Sequence, residues 1–332
     1  MTGPIRDRVA ITTGARLHFG LLTHRPASGR EFGGVGVMIE DPGWSLSFEA
    51  AEFDAVHIAP EAEVTVDADR RQAIHHRVAQ MVTRCREGLG VTASVAVQIR
   101  SWINSHQGLG SGTQLGLAVA RGLERLFALP PRGIVELALI AGRGHRSAVG
   151  LWGFEQGGLL LDGGRTVDGP GTLLARYDFP ADWRFVLIAP RNGSGLSGSE
   201  EVSAFRALQG MPRETSAELC RIVLMELLPA LQDRDFEMFS DSLWRYGSLV
   251  GRYFSTVQGG VFCHPEMSAL ADDLRNCDVR GFAQTSWGPT CAALCRDEDQ
   301  ARQISARLQS RTGADQFLLR TVAPRNRGSD VT

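Results

Sequence analysis

Lysine is absent from this chain, and all 35 of its basic side chains are arginine. That absence excludes Schiff-base chemistry and the lysine that ends a Walker phosphate loop. It also leaves arginine as the only permanent cation for phosphate or carboxylate, a role its planar fork of donors suits. Long apolar runs are missing too. None nears the ~20 residues of a membrane span, and Met1 to Val9 lacks the apolar core of a signal peptide. The expectation is a cytoplasmic protein with no membrane partner. A net charge of −2 gives no reason to expect nucleic acid. The six cysteines, at 85, 220, 263, 277, 291 and 295, form no Cys-x-x-Cys pair, which argues against a zinc site. Cys291 and Cys295 lie in an apolar segment and read as buried thiols. His75 and His76 fall in a polar helix and read as solvated. Internal repeats and low-complexity tracts are also lacking. What remains, 332 residues with 43% hydrophobic and 22% charged side chains, suits a soluble chain of roughly two domains.

The most informative stretch is His106-Gln107-Gly108-Leu109-Gly110-Ser111-Gly112-Thr113-Gln114. Upstream, Val91, Ala93, Val95, Val97 and Ile99 alternate with mostly polar residues, as in a strand. Downstream, Leu115, Val119, Leu123 and Leu126 recur at helical spacing. A glycine-rich turn that opens a helix aims backbone N–H groups and the positive end of the helix dipole at one spot, which suits phosphate or diphosphate. Glycines at such a turn also have a purely conformational reading. The spacing and position do not fit a dinucleotide-binding fingerprint.

Along the chain, strands are expected near 8–13, 16–22, 35–40 and 44–49, then a helix at 71–87. After the phosphate turn and its helix come a helix at 133–142 and an apolar strand at Leu159-Leu160-Leu161. A strand near 184–189 precedes a Gly/Ser-rich loop from Pro190 to Gly198, read as a boundary or a mobile lid. Helices follow near 214–230, 233–250 and 265–276, then a strand–turn–strand over 281–295, a helix at 298–310 and a strand at 316–322. Arg325 to Thr332 read as disordered. Strands interleaved with helices without steady alternation argue for an α+β chain in two lobes.

Several segments carry a family likeness. Gly108-Leu109-Gly110-Ser111-Gly112-Thr113 resembles the second motif of the GHMP kinase superfamily, Gly-Leu-Gly-Ser-Ser-Ala, and Gly281 to Thr290 sits where that superfamily has its Gly-rich C-terminal motif. Four further stretches resemble one branch, the β-ribofuranosylaminobenzene 5′-phosphate synthases. They are Ala15-Arg16-Leu17-His18-Phe19-Gly20, Phe32 to Val37, Arg143-Gly144-His145-Arg146-Ser147-Ala148-Val149-Gly150 and Gln284 to Pro289. The resemblance implies a GHMP kinase-like two-lobed fold, with an N-terminal α+β lobe over 1–180, a ferredoxin-like C-terminal lobe over 181–332 and the site between them. It also implies condensation of phosphoribosyl diphosphate (PRPP) with 4-aminobenzoate or 4-hydroxybenzoate, releasing CO2 and diphosphate, in methanopterin biosynthesis. Ser147-Ala148-Val149-Gly150 lacks the catalytic Asp that some GHMP kinases carry in a comparable segment, which disfavours phosphoryl transfer. Gly112-Thr113 in place of Ser-Ala is a second departure.

That reaction asks for stabilised diphosphate, an aligned aromatic acid and exclusion of water from an oxocarbenium-like ribose. Arg16, His18, Arg143, Arg146, Ser286 and Trp287 are the candidates for contact with the reacting groups. Asn104, His106 and the 108–114 turn are the candidates for phosphate. Mg²⁺ is expected to accompany the diphosphate, with Glu155, Asp162 and Glu200 as the carboxylates considered for it. Each has a plain alternative: surface arginines, helix-end cations, a packing tryptophan, structural carboxylates. A homodimer is expected. Two other functions stay open, an ATP-dependent small-molecule kinase and a non-catalytic ligand-binding member of the fold.

Overall fold

The computed structural model describes residues 6–63, 67–144, 147–166, 169–191, 198–312 and 316–332, the side chains of 198–202 and 312 excepted. His145 and Arg146, and most of the Pro190–Gly198 loop, lie outside the described residues. In chain order the strands are β1 (Val9–Thr12), β2 (Ala15–Thr23), β3 (Phe32–Ile39), β4 (Ser45–Ala51), β5 (Ala55–Ile58), β6 (Ser94–Ser101), β7 (Leu159–Asp162), β8 (Leu173–Tyr177), β9 (Arg184–Pro190), β10 (Phe282–Gln284), β11 (Cys291–Cys295), β12 (Phe317–Val322) and β13 (Asp330–Val331).

These strands form three sheets. Two build the N-terminal part, in the orders β13-β1-β4-β6-β5 and β2-β3-β7-β8. The third has the order β10-β11-β9-β12, antiparallel throughout. Read from its other edge that order is fourth, first, third, second strand of a βαββαβ unit, the ferredoxin-like arrangement. The expected α+β architecture is therefore present, with a ferredoxin-like second lobe.

The helix that follows the phosphate turn, Ser111–Leu126, is buried around most of its circumference. Its sequence, Leu-Gly-Leu-Ala-Val-Ala after Gln114, is apolar on every face, as a central helix must be. It packs between the helix Ala68–Leu89, β1, β4 and the helices Ile134–Ile140 and Val149–Gln156. The Ala68–Leu89 helix is longer than its apolar periodicity suggests because it is capped at both ends. Asp67 accepts from the Arg70 N–H at 2.8 Å, and Gly90 closes the far end at φ 69°.

Two expectations are corrected here. The helix Val149–Gln156 is missed by periodicity because Gly150 and Gly153 interrupt its pattern. The C-terminal residues are ordered rather than loose, and they do not belong to the second lobe. Glu40 donates its N–H to the Ala323 carbonyl at 3.0 Å, and β13 adds to β1 as an edge strand. Arg325 anchors this return. It is 2% exposed, donates to Glu40 at 2.6 Å and to Asp330 at 2.9 Å, and also bonds the Gly328 carbonyl.

Removing one partner of a buried ion pair costs about 3–5 kcal/mol. The partners of Arg325 are partly solvated, so Arg325→Ala is expected to lose about 3 kcal/mol, the low end of that range. Urea denaturation checks this, and a loss within about 0.5 kcal/mol of zero would mean that the returning tail bears no load.

Candidate active site

A cleft of about 660 Å³ opens where the phosphate turn, the start of β2 and the 284–288 segment of the second lobe meet. Its centre is a tightly bonded joint. The Thr285 hydroxyl, fully buried, accepts from the His18 backbone N–H at 3.0 Å and donates to the Gly108 carbonyl at 2.8 Å. Ser286 returns a bond from its N–H to the His18 carbonyl at 2.7 Å. Gly108 and Gly110 have φ of +74° and +75°, in the region open to glycine. A Cβ on Gly108 would stand 2.2 Å from the Thr285 carbonyl oxygen, so the close approach of the lobes itself requires glycine.

Arg16 runs alongside the turn. Its backbone N–H donates to the Leu109 carbonyl at 3.2 Å, and its guanidinium donates to the Gly108 carbonyl. Asn104, His106 and Thr113 line the cleft, with His106 exposed. Ser111 lines it too, although its hydroxyl is used internally, donating to the Ile103 carbonyl at 2.6 Å. Gln114 is turned into the core, where its amide donates to the Gly150 carbonyl at 2.7 Å. Leu109 is buried beneath the turn. The expected phosphate residues thus divide into a facing set and a bracing set.

Arg143 reaches the cleft and lies against Gly112. Arg77, from the Ala68–Leu89 helix, joins it; nothing in the polar pattern of that helix singled this arginine out. Burial and the charge of Arg143 lower the Arg77 pKa to about 10, and burial with Arg84 lowers that of Arg143. Among the described residues the ionisable groups lining the cleft are Arg16, His18, Arg77, His106 and Arg143.

Part of the cleft lining is aromatic. Trp287, 7% exposed, stacks on Phe205 with ring centroids 4.6 Å apart and meets Phe254 edge-on at 4.8 Å. Its indole Nε1–H is buried with no partner among the described residues. Phe205 and Phe254 are further lining residues that sequence reasoning passed over, since single aromatics on amphipathic helices look like core.

The three carboxylates considered for a metal do not gather here. Asp162 is fully buried, and its oxygens accept from the N–H groups of Ala148 at 2.7 Å and Gly164 at 2.9 Å, so it fixes a loop. Glu155 is exposed at the end of the Val149–Gln156 helix and is not a cleft residue. The side chain of Glu200 lies outside the described residues. Among those residues no group of three or more His, Cys, Asp or Glu is placed to hold a metal, and Asp162 and Glu155 do not line the cleft.

Residues 75–152 match the family described as GHMP kinases N terminal domain, and residues 227–315 match GHMP kinases C terminal. An Archaeoglobus fulgidus protein named beta-ribofuranosylphenol 5′-phosphate synthase is 30% identical, over 97% of this chain and 98% of its own. A Methanothermobacter thermautotrophicus protein of the same name is 27% identical over 96% and 97%. This chain belongs to that family, within the GHMP kinase superfamily. A homoserine kinase of Methanopyrus kandleri is 28% identical over 76% of this chain and 78% of its own. Among solved structures, L. major mevalonate kinase in complex with R-mevalonate superposes with a TM-score of 0.70 at 16% identity, covering 98% of this chain and 99% of its own. That likeness speaks for the shared GHMP fold alone. No helix among the described residues is long and apolar enough to cross a membrane.

Two outcomes follow from this site. A side chain on Gly110 would meet Arg16 Cγ at 2.8 Å and would hold a strained φ. Gly110→Val is therefore expected to abolish turnover by displacing Arg16 and closing the approach to the turn, while circular dichroism stays that of the folded protein; native kinetics in that variant would remove the turn from the site.

His18 is fully buried, and burial followed by the Arg16 charge lowers its pKa from 6.5 to about 3. The folded state therefore keeps the ring neutral where the unfolded state takes up a proton. The stability His18 contributes is complete above 6.5 and falls as pH drops toward 3. His18→Gln is expected to flatten that part of the stability–pH curve, measured by denaturation at a series of pH values. An unchanged slope would show that His18 titrates alike in both states.

Proposed function

We propose that this protein joins C1 of the ribose of PRPP to a ring carbon of 4-hydroxybenzoate or 4-aminobenzoate, with release of diphosphate and CO2. The observation that carries the reading is the pairing of two kinds of lining in one cleft, arginines with a glycine-rich helix start and a cluster of aromatic rings. The name of the relatives, with its ribofuranosyl, phenol and 5′-phosphate parts, supports the same chemistry and puts the hydroxy acid first. In this proposal the step belongs to methanopterin biosynthesis.

The electron count suits the residues. The C1–O bond of PRPP breaks with its pair going to diphosphate. The ring carbon para to the hydroxyl or amino group then forms the C–C bond. The pair of the ring–carboxylate bond restores aromaticity as CO2 departs, so the ring carbon gives up no proton to the protein. What the chain must supply is charge for the leaving group, a dry wall and alignment. Arg77, Arg143 and the N–H groups of the turn supply the first, and Phe205, Phe254 and Trp287 the second. For the third, Arg16, held beside the turn, takes the aromatic carboxylate, while the Trp287 indole N–H donates to an acceptor on the ring's substituents.

A kinase reading has one observation in its favour, the homoserine kinase match over about three quarters of the chain. Incubation of the protein and Mg²⁺ with PRPP and each benzoate, or with ATP and homoserine, separates the two, and a chelated arm tests the metal. CO2 and diphosphate are the expected products. ADP would overturn the reading in favour of a kinase, and binding without turnover in favour of a ligand-binding protein. Arg16→Gln is expected to raise the KM for the benzoate about ten- to a hundredfold and leave that for PRPP near native, as loss of a charge-assisted contact does. An unchanged benzoate KM would remove Arg16 from that role.

A further inference from the structure

We infer that the ring of Phe205 occupies the place that the ring of the aromatic acid takes, so that Phe205 leaves Trp287 when the acid binds. The exchange deepens the proposed function, on which it rests for the aromatic nature of the substrate.

Three rings of the cleft lining meet at Trp287, and they are held unequally. Trp287 is fixed by its neighbours in the chain. Ser286 donates its N–H to the His18 carbonyl at 2.7 Å, and Gly288 donates its own to the Thr285 carbonyl at 3.2 Å. Phe254 is 4% exposed and belongs to the 23-residue helix Phe236–Gln258. Phe205, by contrast, is half-buried near the end of the short helix Gly198–Ala207. Downstream of it the chain is clamped. Met211 donates its N–H to the His24 carbonyl at 2.8 Å, the Tyr253 hydroxyl donates to the Gln209 carbonyl at 2.7 Å, and Arg25 donates to the Leu208 carbonyl at 3.0 Å. The Phe205 side chain itself rests on rings: Trp287, His24 at 5.5 Å, Phe254 at 6.0 Å and Phe32 at 6.2 Å between centroids.

Two observations give Phe205 the role of a stand-in. The first is the stack. Phe205 and Trp287 lie 15° from parallel with centroids 4.6 Å apart. Rings that close admit no third ring between them, so an acid that stacks on this face of Trp287 must take the position of Phe205. The second is the Trp287 indole N–H, buried with no acceptor among the described residues. A donor left unpaired in a dry place is costly. Phe205 offers it a ring and no acceptor. A hydroxy- or aminobenzoate brings a ring with acceptor oxygens on its rim, so it restores the stacking and also satisfies the donor. The exchange of one ring for the other therefore runs toward the ligand.

The probe is 4-hydroxybenzoate, titrated by calorimetry into the native protein, Phe205→Ala and Phe205→Leu, with ribose 5-phosphate and inorganic diphosphate present. Phe205→Ala is expected to bind the acid about two- to tenfold more tightly than native, the span that aromatic stacking contributes, because no stack has to be broken first. Phe205→Leu, which keeps apolar bulk at this position, is expected to tighten it as well. In the native protein the ¹⁵N-labelled indole N–H signal of Trp287, assigned by its loss in Trp287→Phe, is expected to shift as the acid saturates. Native or weakened affinity in either variant that folds, as a fixed lining ring touching the bound acid would give, would overturn the exchange. So would an unmoved Trp287 signal at saturation, or no binding of the acid by any of these proteins. Turnover is read apart. Tighter binding in variants of a protein that makes no riboside would leave the exchange standing while the proposed reaction fell, and riboside formation with weakened binding in both variants would do the reverse.

Discussion

The carbonyl of Gly108 is the point on which the cleft depends. It accepts from the Thr285 hydroxyl and from Arg16, so a single oxygen ties together β2, the phosphate turn and the second lobe. Thr285 in turn holds the His18 N–H. Separating the lobes would leave several of these groups without partners in a dry setting, at about 1–3 kcal/mol each. The lobes are thereby held in register by hydrogen bonds of defined direction, whereas apolar contacts alone would tolerate sliding. Glycine at 108 is the steric condition for this joint, because any side chain would intervene between the two backbones.

The joint also explains how the cleft can concentrate charge. Arg16 spends part of its donor capacity on the turn and so is fixed before any ligand arrives. Arg77 is fixed by Trp44 and Ser105, and Arg143 by its seat on Gly112. Burial first, and then the charge of Arg143, lowers the Arg77 pKa to about 10, so keeping both cations here costs stability. An anion that bound beside them would offset that cost and so stabilise the folded state. Phe205, Phe254 and Trp287 give the same cleft an apolar lining as well.

Much of this was legible in the sequence, for reasons that can be named. The phosphate turn stood out because its glycines interrupt a strand and open a helix with strong periodicity. The two lobes followed from the mixed order of elements and from the family likeness. Arg16, Arg143 and Trp287 lie in quoted motifs and do line the cleft. What stayed hidden depends on tertiary contact. Arg77 is one arginine among several on a polar helix, and only Trp44, thirty-three positions away in the chain, makes it special. Asp162 looked like a candidate ligand because an acidic residue ending an apolar strand is conspicuous, yet its oxygens are consumed by two backbone N–H groups. Arg325 sits in a polar tail whose composition resembles disorder, and its order rests on Glu40, a residue from the far end of the chain.

The shared fold sets limits on what separates this chain from the kinases it resembles. A GHMP scaffold supplies a helix start, a cleft and a second lobe that closes it, and none of these selects phosphoryl transfer over ribosyl transfer. Selection must lie in the side chains around the turn. A Cβ at 112 would stand 3.0 to 3.2 Å from the Arg143 guanidinium, so glycine there gives that cation more room beside the helix start. In the proposed reaction the same turn would meet the charge of a departing diphosphate with arginines beside it.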